Sequence, residues 1–262
     1  PVDSSYINIA NDSATFSING NCNEASATVV IEVDSGAATS PVGFVCNGTS
    51  YAGTIDTTGL SEGAHTIQAK IQDGASNEGT SAVINLTKDT VAPTVALTNP
   101  ADSSNITSAN DSATFPVDGT CDDATASISI EVDSVAAASQ VGFSCNGTTY
   151  SGTIDTTGLA EATLSFTAVI TDAAGNSTTS TVNSVTKDVT DPTVAITSPV
   201  DSSYINVSNN SATFAISGTC DQAAQTVNIL VDGGAATSPV GFSCNGTNFS
   251  GTIDTTGLSA GA

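Results

Sequence analysis

Arginine, tryptophan and methionine are missing from the 262 residues, and histidine occurs once, at His65. Basic residues number 3 against 26 acidic ones, giving a formal charge of −23. Such a field repels phosphate backbones and anionic bilayers, which excludes nucleic acid and membrane surfaces as partners. No apolar run approaches the roughly 18 residues of a membrane-spanning helix, so no membrane insertion is expected in this segment. Leu164 stands where an internal repeat would place a second His65, which excludes a repeated histidine-based catalytic or metal centre. The carboxylates fall in turns, away from the burial that acid-base chemistry needs, and no phosphate-cradling loop is present; no catalysis is expected. Aromatics make up 5% of the chain, so stacking platforms for sugars are scarce.

What the chain does have is repetition. Gly43 to Leu60 (GFVCNGTSYAGTIDTTGL) returns almost unchanged at Gly142 to Leu159 and Gly241 to Leu258, displaced by 99 residues each time without insertion or deletion. A period of this length suits a whole domain rather than a solenoid turn. The six cysteines fall as one pair per repeat, Cys22 with Cys46, Cys121 with Cys145 and Cys220 with Cys244. One disulfide per domain implies an oxidising, extracytoplasmic compartment. Each would close a loop worth roughly 3 kcal/mol by chain entropy. With no initiator Met and no signal-peptide pattern, the chain reads as an excerpt of a longer mature protein.

Strand patterning is clear within each copy. Phe16 and Ile18 alternate with polar neighbours, and Val29, Ile31 and Val33 match Ile128, Ile130 and Val132 and then Val227, Ile229 and Val231, while the positions between them drift. One fixed face and one free face predict sandwich strands. Asn47-Gly48 predicts a type I′ hairpin between strands at Val42–Cys46 and Thr49–Ile55, and Asp56 to Gly59 predicts a type I turn with Leu60 plugging the core. Ile67, Ala69 and Ile71 share a face of the next strand. Ser81 to Lys88 forms the last strand, with Val83 and Leu86 requiring a bulge or a change of sheet. About seven short strands per 99 residues predict an all-β fold of tandem immunoglobulin-like β-sandwich domains arranged end to end.

Lys88 to Pro93 runs directly into the next opening strand, Thr94 to Leu97, and proline stiffens the joint. The expected domains are residues 1–92, lacking an opening strand, 93–191, complete, and 192–262, lacking its last two strands. A sandwich so shortened should not be well ordered unless something completes it.

The joints APTVALTNPADSS and DPTVAITSPVDSS, the stretch GTIDTTGLSEGAHTIQAKIQDGASNEGT and the loop DAAGNST resemble bacterial Ig-like repeat domains of giant surface adhesins and biofilm-associated proteins. The resemblance implies an extended secreted stalk, often with calcium at its joints; cysteines are uncommon in such repeats. Asp73, Asn77, Glu78, Asp89 and Asp102 cluster in sequence around the first joint, and Asp172, Asn176, Asp188, Asp191 and Asp201 around the second. They supply the oxygen ligands calcium prefers, and equally the side-chain chemistry of turns. Ala92 stands where the second joint has Asp191, and DGASN at Asp73 departs from DAAGN. Eleven Asn-x-Ser/Thr sequons, among them Asn47, Asn146 and Asn245 and also Asn11, Asn110 and Asn209, offer glycosylation sites.

The functional expectation is a structural segment of a stiff stalk or filament of a cell-surface adhesin. Its partners would be neighbouring repeats, copies of itself, and cell-surface glycans through other parts of the protein. A self-assembling fibre or sheath completed by strand exchange is the alternative, followed by a glycan-binding module. The latter is weakened by Phe249 replacing Tyr51 and Tyr150.

Overall fold

The computed structural model describes residues 1–259, all strand, turn and coil. Two units emerge, Pro1–Val189 and Thr190–Ala262. In the first, the strands of the leading repeat are β1 (Ser5–Ile7), β2 (Phe16–Asn21), β3 (Val29–Val33), β4 (Gly36–Ala37), β5 (Ser50–Ile55), β6 (Gly63–Gln72), β7 (Glu78–Thr80) and β8 (Ile84–Lys88). They form a sheet in the order β1-β8-β6-β3-β4, with β7 on β6, and a second sheet of β2 and β5. The following repeat contributes β9 (Val95–Asn99), β10 (Ser104–Ile106), β11 (Phe115–Cys121), β12 (Ser127–Val132), β13 (Val135–Ala136), β14 (Thr149–Ile154), β15 (Thr163–Thr171), β16 (Ser177–Thr179) and β17 (Asn183–Lys187). Its sheets run β10-β17-β15-β12-β13, with β16 on β15, and β14-β11-β9. The expected opening strand is therefore the third member of the smaller sheet.

Alternation decides which side chains meet between the sheets. Ile18, Val29, Ile31, Ile55, Ile67 and Leu86 are buried together in the leading repeat, while Val30, on the other face of β3, is 49% exposed. In the following repeat Leu164, Phe166, Ala168 and Ile170 turn one whole face of β15 into the core. The last strand is interrupted as expected but keeps the same sheet. Ser81 and Ser180 replace the missing ladder contact, their hydroxyls accepting from Ala69 N–H and Ala168 N–H, and Val83 swings outward.

The Asn-Gly segment differs from the expected hairpin. Val42 pairs with Thr54 beside β5, but Val29 N–H bonds to Phe44 O and Cys46 N–H to Ala27 O, beside β3. The segment thus crosses from one sheet to the other instead of running along β5. Gly48 has φ 98° but Asn47 keeps negative φ, so the turn is not type I′. The Asn47 side chain shapes it, accepting from the N–H groups of Thr49 and Ser50 at 2.9 Å each. Asp56 likewise caps Thr58, and the following turn closes one residue later than expected, Leu60 N–H to Thr57 O.

The second unit holds β18 (Val194–Ser198), β19 (Phe214–Cys220), β20 (Leu230–Val231), β21 (Gly234–Ala235) and β22 (Asn248–Ile253). A three-stranded sheet β18-β19-β22 faces the short β20–β21 pair, and Ile216, Ile229, Phe242, Phe249 and Ile253 still form a core. Among the described residues no further strand pairs with β20, and Leu230, at the outward position held by Glu32 and Glu131 in the other repeats, is 63% exposed.

Candidate functional site

The three cysteine pairs are bonded, Cys22–Cys46, Cys121–Cys145 and Cys220–Cys244, with Cα separations of 6.0, 6.1 and 6.0 Å. In the leading repeat, Cys22 follows β2 and Cys46 lies on the crossing segment beside β3, so the bond ties the two sheets together. All six cysteines are accounted for.

Between the two repeats of the first unit the chain builds a joint from side-chain amides. The loop 172–176 turns back after β15 to the leading end of its own repeat, where it meets the trailing end of the preceding one. Asn176, 3% exposed, accepts from Ile9 N–H at 2.9 Å through Oδ1 and donates through Nδ2 to Asp89 O at 2.8 Å. Asn8 donates to Ala174 O at 2.6 Å. Asp172 holds the loop in shape, accepting from Asn176 N–H at 2.8 Å and from its Nδ2 at 2.9 Å.

This regroups the acidic residues read from the sequence. Asp172 and Asn176 belong to the first joint with Asp89, whereas Asp73 and Asn77 lie in the matching loop of the leading repeat and bond to each other. Residues close in sequence are parted because each antiparallel hairpin carries its loop back along the domain. Asp102 is engaged elsewhere, taking Ser184 N–H at 2.8 Å, and Glu78 sits on the short strand β7. Asp188 and Asp191 are both partnered, and Asp201 lies in the second unit. The oxygens of Asp172, Asn176 and the Asp89 carbonyl each accept an N–H, a poor match for a cation seeking roughly six to eight oxygen ligands. Among the described residues no group of three or more His, Cys, Asp or Glu side chains converges as a metal site.

Directly before Asp89 lies a cluster missing from the sequence reading. Lys88, 4% exposed, pairs with Asp12 at 2.9 Å and donates to Thr57 O at 2.9 Å, while Thr57 Oγ1 donates to the other Asp12 oxygen at 2.7 Å. Burial pushes the Asp12 carboxyl up, but the bonds from Lys88 and Thr57 and the lysine's charge outweigh it and hold the group below its ordinary range. Lys187, Asp111 and Thr156 repeat the arrangement, with the ion pair at 3.0 Å. In the second unit Asn210 replaces the aspartate and accepts from Thr255 Oγ1 at 2.8 Å. The signal was available: two of only three lysines recur at the repeat interval, beside an invariant threonine.

His65 forms a related pair found in the leading repeat alone. Its Nδ1 lies 2.7 Å from Asp34 Oδ2 and its Nε2 2.8 Å from Ser61 O. Both partners are acceptors, so the site favours the doubly protonated, charged ring over the neutral one. Desolvation lowers its pKa, but the Ser61 and Asp34 bonds prevail and raise it.

Tyr51, Tyr150 and Phe249 pack inward on Phe44, Phe143 and Phe242, with ring centroids 6.3 Å apart in each pair. They serve the core rather than a sugar platform. Asn47, Asn146 and Asn245 are exposed, with Oδ1 engaged in their turns.

The Bacterial Ig-like domain (group 3) family matches residues 49–146 and 148–249. The chain belongs to that family. The matched windows straddle the joints, as a periodic array permits. Among solved structures, a Ca2+-stabilized adhesin with which an Antarctic bacterium binds ice is 24% identical, with 96% of this chain and 63% of that one covered at a TM-score of 0.37. A 1.5-MDa bacterial ice-binding adhesin is 20% identical, covering 96% and 83% at 0.36. Fibronectin(III)-like modules of Clostridium thermocellum CbhA are 18% identical, covering 72% and 90% at 0.44. No curated protein sequence shows significant similarity. The molecule is thus a tandem array of bacterial Ig-like domains, a class typical of surface or secreted proteins.

Proposed function

We propose that these Ig-like repeats are a structural spacer, a stiff stretch of an extracellular stalk or filament that holds other parts of a surface adhesin away from the cell. The observation that carries this reading is the buried Asn176 joint, which fastens one repeat to the next through three hydrogen bonds without a flexible linker. A disulfide and a buried ion pair in each repeat of the first unit serve the same end, since a spacer under load must resist local opening. The expected domains, 1–92, 93–191 and 192–262, are the units of this array. In this account the amide-held joint does not require calcium, and glycans on Asn47, Asn146 and Asn245 decorate exposed turns.

The test is small-angle scattering and calorimetry of the chain in EDTA and then in excess calcium. A ligand that binds the native joint alone raises stability by mass action. The spacer reading expects an extended monomer already in EDTA. A collapsed or freely jointed particle in both conditions would overturn it. Mass that grows with concentration would favour assembly by strand exchange instead.

A further inference from the structure

The larger sheets of the two repeats in the first unit finish one edge differently. In the following repeat the Ile130 N–H donates to Gln140 Oε1 at 2.8 Å, while Gln140 Nε2 donates back to Ile130 O at 3.1 Å and to Ala137 O at 3.2 Å. One carboxamide thus completes the edge of β12 by a two-way exchange of hydrogen bonds. Pro41 stands at the matching position of the leading repeat, and its ring carries neither donor nor acceptor. There the Val29 N–H reaches Phe44 O at 2.9 Å and the Ala38 N–H reaches Ile31 O at 3.0 Å. Between those bonds the Ile31 N–H meets no acceptor, and the Ala38 carbonyl no donor, among the described residues. Both residues are buried, and backbone groups so placed call for a partner.

A groove of about 300 Å3 opens at this point, lined by Ile31, Ala38 and Phe44 together with Val30, Pro41 and Val45. Val30 and Val45 are 49% and 55% exposed, where the following repeat carries Ser129 and Ser144. The leading repeat therefore combines unpaired backbone groups with an apolar rim.

We propose that this groove is a binding site for a glutamine side chain on an extended segment of a partner protein, its carboxamide bonded as Gln140 is bonded in the following repeat. The inference is independent of the spacer reading. The groove offers one donor, the Ile31 N–H, beside two acceptors, the carbonyls of Ile31 and Ala38. That is the complement of a primary carboxamide, with one oxygen and two N–H bonds. A carboxylate has no hydrogen to donate and is repelled by a chain of charge −23. The acetamido group of an N-acetylated sugar has a single N–H. Val30 and Val45 favour apolar residues flanking the glutamine, since contact removes both surfaces from water. Pro239 repeats the proline in the second unit, but Asn228 and Ser243 replace the valines, so the leading repeat is the stronger site.

The experiment titrates the whole chain with the peptide Val-Gln-Val and follows backbone amide shifts by NMR, with Val-Glu-Val and N-acetylglucosamine as comparison ligands. The expected result is a saturable shift at Ile31 and Ala38 with a Kd of about 1 mM, the scale of a few hydrogen bonds and a small apolar contact, and no shift at Ile130. Pro41→Gln gives the leading repeat the side chain that the following repeat already accommodates, so it should stay folded and bind the peptide about tenfold more weakly or worse. Absence of a saturable shift at Ile31 overturns the proposal, as does equal binding of Val-Glu-Val or undiminished binding by a folded Pro41→Gln variant. A shift at Ile31 given by N-acetylglucosamine and not by the peptide overturns it in favour of a glycan site.

Discussion

Lys88 and Lys187 are two of the three lysines in a chain of net charge −23, and both are buried. A lone ammonium in a protein interior is costly, so each is matched by an aspartate and threonine carbonyls. Truncating one partner leaves the other charged and poorly hydrated. Lys88→Ala should therefore destabilise the leading repeat by about 3 kcal/mol in urea unfolding, within the range for broken buried pairs. Asp12→Asn should be comparably destabilising, since an amide can keep the threonine bond, as Asn210 does, but supplies no charge to offset the buried Lys88. His65 adds a pH dependence confined to the leading repeat. The His65 pKa is raised above 6.5, so its stabilisation is complete below that value and fades as pH rises through the raised one. The Asp34 pKa is lowered from 3.8, chiefly by the His65 bond, so its contribution is present above 3.8 and lost as pH falls through the lowered one. Thermal unfolding should show the leading repeat gaining most between these limits and weakening on the alkaline side. His65→Leu, the residue at the matching position Leu164, should remove the alkaline loss.

At the scale of the element, the crossing segment from Val42 to Cys46 joins the two sheets, and the disulfide fixes it there. Replacing Cys22 and Cys46 together by alanine should lower stability by roughly 3 kcal/mol, the chain-entropy value for a loop of this size, as read by urea unfolding. Gly53 is the partner constraint. A Cβ there would meet the Val42 carbonyl and the Phe44 ring, so Gly53→Ala should displace the crossing segment and destabilise the repeat by about 1–3 kcal/mol. The strands themselves were legible, because alternation at Val29, Ile31 and Val33 reports a buried face whatever the topology. The hairpin was not, because an Asn-Gly pair announces a turn without saying that its two arms share a sheet. The acidic joints misled for a similar reason: nearness in sequence places Asp172 beside Asp188, while the antiparallel return of β15 carries Asp172 to the opposite end of its domain. The lysine cluster escaped notice because pattern reading looks for apolar faces, and a buried cation at the end of a strand resembles a solvated one.

For the molecule as a whole, repetition is the governing fact, and the proposed spacer role turns on how one repeat is fastened to the next. The amide joint does this with neutral groups, so salt should affect it little, unlike a joint held by exposed ion pairs. Asn176→Ala removes the bonds to Ile9 and Asp89 and leaves a backbone N–H unsatisfied, a loss of about 1–3 kcal/mol, concentrated at the joint rather than in either core. The central claim is tested most directly by residual dipolar couplings for the two repeats of the first unit, in the intact chain and in the Asn176→Ala variant, recorded in EDTA. The account predicts one shared alignment tensor in the native chain, and two distinct tensors with reduced order in the variant, each repeat remaining folded. Independent tensors in the native chain, or a variant indistinguishable from it, would contradict the joint as the source of stiffness.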